Sequence, residues 1–72
     1  MTPAQCHSAR NLLDWSPEDL ARAAGVSVIT VRSFEAARTM DDQGAPVLMQ
    51  RALEGAGVSF DGDGVRLGSR RP

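Results

Sequence analysis

Cys6 and His7 stand side by side near the start of the chain, its only thiol and its only imidazole. A thiol beside an imidazole raises the question of nucleophilic catalysis, in which the base takes the thiol proton. Their local pattern argues against it. Thr2-Pro3-Ala4-Gln5 reads as a helix start, with a capping box and Pro at the first helical position. Adjacent residues on a helix do not face each other. Cys6 is therefore expected in the core and His7 in solvent, and no second base, metal-ligand spacing or phosphate loop accompanies them. Asp61-Gly62-Asp63-Gly64 starts like a calcium loop. An EF-hand would then need an acid or Asn where Val65 stands and Glu where Pro72 stands. A hairpin turn is the better reading. The expectation is a protein that is not an enzyme and takes no metal or cofactor.

The remaining chemistry is that of arginine, which supplies all eight basic residues. Its planar fork of donors suits phosphate and the guanine edge. Arg32 and Arg38 follow a stretch that spells two short helices joined by a tight turn. Ser16 caps the first, Pro17 suits its first position, and Asp19 closes a Ser-x-x-Asp capping box. Gly25 ends that helix, where a left-handed backbone is needed. Ser27 caps the second, expected to run from about Val28 to Ala37. Leu20, Ala21, Ala24, Val26, Val31 and Phe34 are the apolar set the two helices must bury against a third. Small Ala21 suits a close helix crossing.

Residues 16–35 resemble the Cro-repressor (Xre-like) family of helix-turn-helix regulators, whose motif reads roughly Q-x-x-L-A-x-x-x-G-V-S-x-x-T-V-x-x-F-E. Leu20, Ala21, Gly25, Val26, Ser27, Thr30, Val31, Phe34 and Glu35 match it. The flanks resemble the family's first and fourth helices more loosely. The resemblance implies an all-α, lambda-repressor-like four-helix helix-turn-helix domain, here with a short C-terminal β-hairpin. It also implies binding of double-stranded DNA in transcriptional control, as a homodimer.

In such proteins the second motif helix enters the major groove with its N-terminal residues on base edges. The candidate DNA-binding residues are Ser27, Val28, Ile29, Thr30, Arg32, Ser33 and Arg38. With Val31 and Phe34 inward, helical spacing turns Ile29, Ser33 and Ala36 outward, with Arg32 beside them. Arg32 is the best hydrogen-bonding reader, matching the guanine O6/N7 pair. Its competing reading is a solvated charge, paired for example with Glu35. Val28 and Ile29 offer only apolar contact, for example to thymine methyls, and Arg38 is placed to touch phosphate. Two features depart from the family. Its phosphate-binding Gln is Pro17 here, which has neither a side-chain donor nor an N–H. Polar or basic residues common at the positions of Val28 and Ile29 are also missing. Exposed apolar residues mark protein contacts more often than base readers. Packing of the two against the fourth helix or the hairpin is a further reading. The alternative function is thus a protein-interaction module of the same fold, such as an antitoxin-like partner.

Net charge is −1 and the pI about 5.6, which counts against strong DNA binding, usually marked by a basic footprint. In residues 1–40, Arg10, Arg22, Arg32 and Arg38 balance Asp14, Glu18, Asp19 and Glu35. The lone cysteine excludes an intramolecular disulfide and fits a reducing compartment. No apolar run approaches the roughly 20 residues of a membrane span, and no signal-peptide pattern opens the chain. A cytoplasmic protein with no membrane partner is expected.

The 72 residues read as one domain over 1–67, with 68–72 a flexible basic tail. In the first helix Cys6, Ala9 and Leu13 form the buried stripe, with Leu12 beside it. Trp15 is placed to staple the turn onto Leu20 or nearby. Residues 39–45 read as a polar loop. Pro46 opens a fourth helix carrying Met49, Ala52, Leu53 and Ala56 on one face, and Gly57 stops it. Val58 and Phe60, then Val65 and Leu67, alternate with polar residues as a hairpin over 58–67. A lone hairpin is marginal in water, so it must dock on the helices or pair with a second copy.

Overall fold

The computed structural model describes residues 1–38, 43–62 and 64–68. Most of the loop expected over 39–45, the turn residue Asp63 and nearly all of the expected tail lie outside that set. Four helices precede one hairpin: α1 Pro3–Leu13, α2 Pro17–Ala24, α3 Val28–Glu35, α4 Ala45–Gly55, β1 Val58–Asp61 and β2 Gly64–Leu67.

The helix starts follow from side-chain caps. Thr2 and Gln5 form a reciprocal capping box on α1, as Ser16 and Asp19 do on α2. Each box satisfies backbone N–H groups that a first turn leaves without partners. Ser27 accepts from the Thr30 N–H and caps α3. Pro46 lies at the start of α4, which has no side-chain cap.

Three helix ends share one device. One or two residues past each helix the chain takes a left-handed conformation, and the N–H that follows reaches back five residues. Asp14 (φ 58°), Gly25 (φ 73°) and Ala37 (φ 59°) are the left-handed residues. The returning bonds run from Trp15 N–H to the Arg10 carbonyl, from Val26 to Ala21 and from Arg38 to Ser33. This is the Schellman closure, which satisfies carbonyls the last turn leaves open. It also explains why α3 ends at Glu35 and not at Ala37, as expected. A non-glycine residue in this conformation strains against its own Cβ.

The core comprises Cys6 and Ala9 of α1, Leu20 and Ala21 of α2, Val31 of α3, Ala45, Met49 and Leu53 of α4, and Val58 of β1. Burying a Leu or Met side chain fully stabilises by about 1.5–3 kcal/mol. Leu13, Trp15, Ala24, Val26, Val28, Phe34, Ala52, Phe60 and Val65 are half-buried against this core. Leu12, one residue before Leu13 and so about 100° round the helix from it, is exposed beside the stripe, and Leu67 at the end of β2 is half exposed. The hairpin is antiparallel, pairing Val58 with Leu67 and Phe60 with Val65. It docks on the helices, β2 and β1 against α1 and β1 also against α4. Gln5 latches it: the side-chain Nε2 donates to the Gly62 carbonyl at 2.7 Å while Oε1 accepts from the Thr2 N–H.

Candidate functional site

The α3 helix has two dissimilar sides. Val31 is fully buried, and Val28 and Phe34 pack on the core beside it. On the other side Ile29 is 73% exposed, and Ile29, Arg32, Ser33, Ala36 and Arg38 line one concavity. Arg38 lies beyond the helix and reaches this surface through the closure at Ala37. The turn folds the chain back, with the Arg38 N–H on the Ser33 carbonyl at 2.9 Å.

The other sequence candidates separate from this group. Ser27 and Thr30 are joined hydroxyl to hydroxyl at 2.9 Å at the α3 N-terminus. Val28 was read as an outward apolar contact, but it is half-buried against the core. It is the first residue of α3 and lies three positions before Val31, on the packed side.

Arg32 is paired, but not with Glu35. Its Nη2 donates to Oε2 of Glu18 on α2 at 2.8 Å, and both side chains are more than half exposed. The Glu18 carboxyl lies below its ordinary range, chiefly through its own backbone N–H at the α2 N-terminus and then through Arg32. Asp19 is lowered too, first by the Ser16 N–H and further by Arg22. The first turn of α2 therefore carries two ionised carboxylates.

Glu35, three residues on from Arg32, turns into the seam between α1 and α3. Arg10 grips it with two bonds of 2.7 Å, Nε to Oε2 and Nη2 to Oε1. Arg10 Nη1 also donates to the Trp15 carbonyl at 2.9 Å, and Nη2 donates to Nδ1 of His7 at 3.0 Å. Four of the five guanidinium donors are thus used by this buried residue. Cys6 Sγ donates to Glu35 Oε2 at 3.2 Å. Cys6 is in the core as expected, and His7 is exposed but touches the pair. Burial alone would raise the Glu35 carboxyl; the hydrogen bonds from Arg10 and Cys6, with the Arg10 charge, outweigh it and hold it below the usual range. Burial, then the bond to Glu35, pushes the Cys6 thiol strongly up, so it stays protonated and acts as a donor. The buried pair was missed in the sequence, although its signal was present. Arg10 follows Cys6 by four residues and precedes Leu13 by three, which places it on the packed stripe.

Among the described residues no group of three or more His, Cys, Asp and Glu has a metal-holding arrangement. No helix among them is long and apolar enough to cross a membrane. Compared with known proteins, the chain matches no family model and no curated protein.

Proposed function

We propose that α2 and α3 form a helix-turn-helix and that the protein binds DNA sequence-specifically, in transcriptional control, with α3 in the major groove. The observation that carries this reading is the outer face of α3, where Ile29, Arg32, Ser33 and Arg38 line one surface opposite the packed face. A major groove about 12 Å wide accepts a helix presented this way. In this reading Arg32 contacts a guanine O6/N7 edge, Ile29 contacts a thymine methyl, and Arg38 contacts phosphate beyond the helix end. The turn at Gly25 (φ 73°) sets the angle at which α2 offers α3. A homodimer on a two-fold symmetric site completes the proposal.

The charge balance makes this a weak electrostatic binder. Arg22 and Arg32 are already paired with carboxylates, and the chain is net negative. Three to five phosphate contacts would give a slope of log K against log salt of about −3 to −4. Selection from random duplexes, followed by titration across salt, tests it. An enriched sequence with that slope is expected. No binding at low salt overturns it in favour of the second reading, a protein-interaction module of the same fold, such as an antitoxin-like partner. The exposure of Ile29 at the centre of the face is what favours that second reading.

A further inference from the structure

We propose that Glu18 is a positioning residue for Arg32, one that sharpens base selection while lowering affinity for DNA in general. The proposal rests on the DNA-binding reading above. Glu18 is the second residue of α2, and its Oε2 takes one hydrogen of Arg32 Nη2 at 2.8 Å. A guanidinium has five N–H donors in a rigid plane. One bond to Glu18 leaves Nε, Nη1 and the second Nη2 hydrogen, so a two-donor edge remains for both acceptors of a guanine. Glu18 therefore restrains the reader without consuming its reading edge. An unrestrained arginine would lose side-chain freedom on binding; here part of that ordering precedes the encounter.

The cost falls on all DNA alike. Glu18 and Asp19 put two carboxylates in the first turn of α2, and a helix N-terminus would otherwise attract phosphate. Pro17 beside them has no N–H to offer. Every duplex meets this negative turn, but only one with a guanine under Arg32 gains the two-bond contact. A penalty shared by every site cancels in the difference between two sites, so it lowers affinity alone; the discrimination comes from the restrained contact, which only the right site can use. The pair is exposed on both sides, and such pairs add little to folding, so stabilising the fold does not account for it.

The test compares the parent, Glu18→Gln and Arg32→Ala on three duplexes: the one selected by the parent, the same duplex with its guanine replaced at the position where Arg32→Ala loses discrimination, and a random one. Glu18→Gln should bind random DNA about threefold to tenfold more tightly at low salt. Its preference for guanine should fall about fivefold or more, while its melting temperature stays at the parent's. Equal tightening on all three duplexes would make Glu18 a repelling charge only and overturn the proposal. Unchanged binding would make the pair idle and overturn it too. If the parent itself enriches no duplex, the DNA-binding reading fails first and takes this proposal with it, and that result is visible before any variant is compared.

Discussion

Glu35 and Arg10 join α3 to α1 with side chains 12% and 7% exposed, whereas Arg32 and Glu18 join α3 to α2 with side chains 59% and 53% exposed. The chemistry is the same and the helix is shared. The inner pair is bidentate and backed by Cys6, His7 and the Trp15 carbonyl; the outer pair has one bond. Away from water each charge is costly unless its partner remains, so the inner pair can hold only one arrangement. In water the charges are screened, and the outer pair contributes little to folding. One side of α3 is thus fixed to the fold by the same interaction that leaves its other side free to meet a ligand.

The largest expected effect breaks the inner pair. Glu35→Ala leaves the Arg10 charge buried without its partner and should cost about 3–5 kcal/mol. Total stability for a small domain is about 5–15 kcal/mol. Urea unfolding followed by circular dichroism measures it. Arg10→Met combined with Glu35→Leu should recover most of the loss, because two apolar side chains bury no charge. A loss below about 1 kcal/mol for Glu35→Ala would mean that the inner pair behaves like a surface pair, and the contrast would collapse.

Acid sharpens the same point. The folded Glu35 carboxyl titrates below its unfolded value, which is about 4.3. A depressed carboxylate contributes stability that is complete above the unfolded value and lost as pH falls through the folded one. The stability gap between the parent and Glu35→Gln should therefore be widest near neutrality and close progressively below about pH 4. Urea midpoints taken across that range check it. Glu18 and Asp19 are lowered as well but remain in both proteins, so they cancel. A gap that stays constant into acid would remove the ionised inner pair as the source.

The inner and outer pairs were not equally legible in the sequence, nor were the helix ends. Gly25 announces a left-handed turn because a missing Cβ suits that conformation. Asp14 and Ala37 adopt the same conformation, yet neither type announces it; alanine in particular is the best helix former. The expected third helix ran two residues too long for that reason. It also hid the fold-back that brings Arg38 beside Arg32. The caps and the alternating hairpin were readable because each depends on neighbours within a few residues. Val28 was misplaced outward although it lies three positions before Val31, a spacing that puts it on the packed side. The partners of Arg10 and Arg32 lie 25 and 14 residues away. Such pairings depend on helix angles, which spacing within one helix does not encode. Glu35 lies three residues from Arg32 on α3, within helical reach, but its carboxylate is held by Arg10, which leaves Glu18 for Arg32.

The smallest expected effect belongs to the outer pair, and it separates what holds the fold from what meets a ligand. A double-mutant cycle with Glu18→Ala and Arg32→Ala, read by thermal unfolding, should give a small coupling, below about 1 kcal/mol. Both side chains stay solvated before and after the change, and added salt should erase what coupling there is. The same Arg32→Ala protein, measured on the selected duplex, should lose about 1–3 kcal/mol of specific binding if Arg32 reads a guanine. Binding and folding are then decoupled at Arg32, whereas at Glu35 any loss of binding should follow the loss of fold. An equal loss on selected and random DNA would make Arg32 a phosphate contact. A large folding penalty for Arg32→Ala would place the outer pair in the same class as the inner one, and α3 would no longer have a free face.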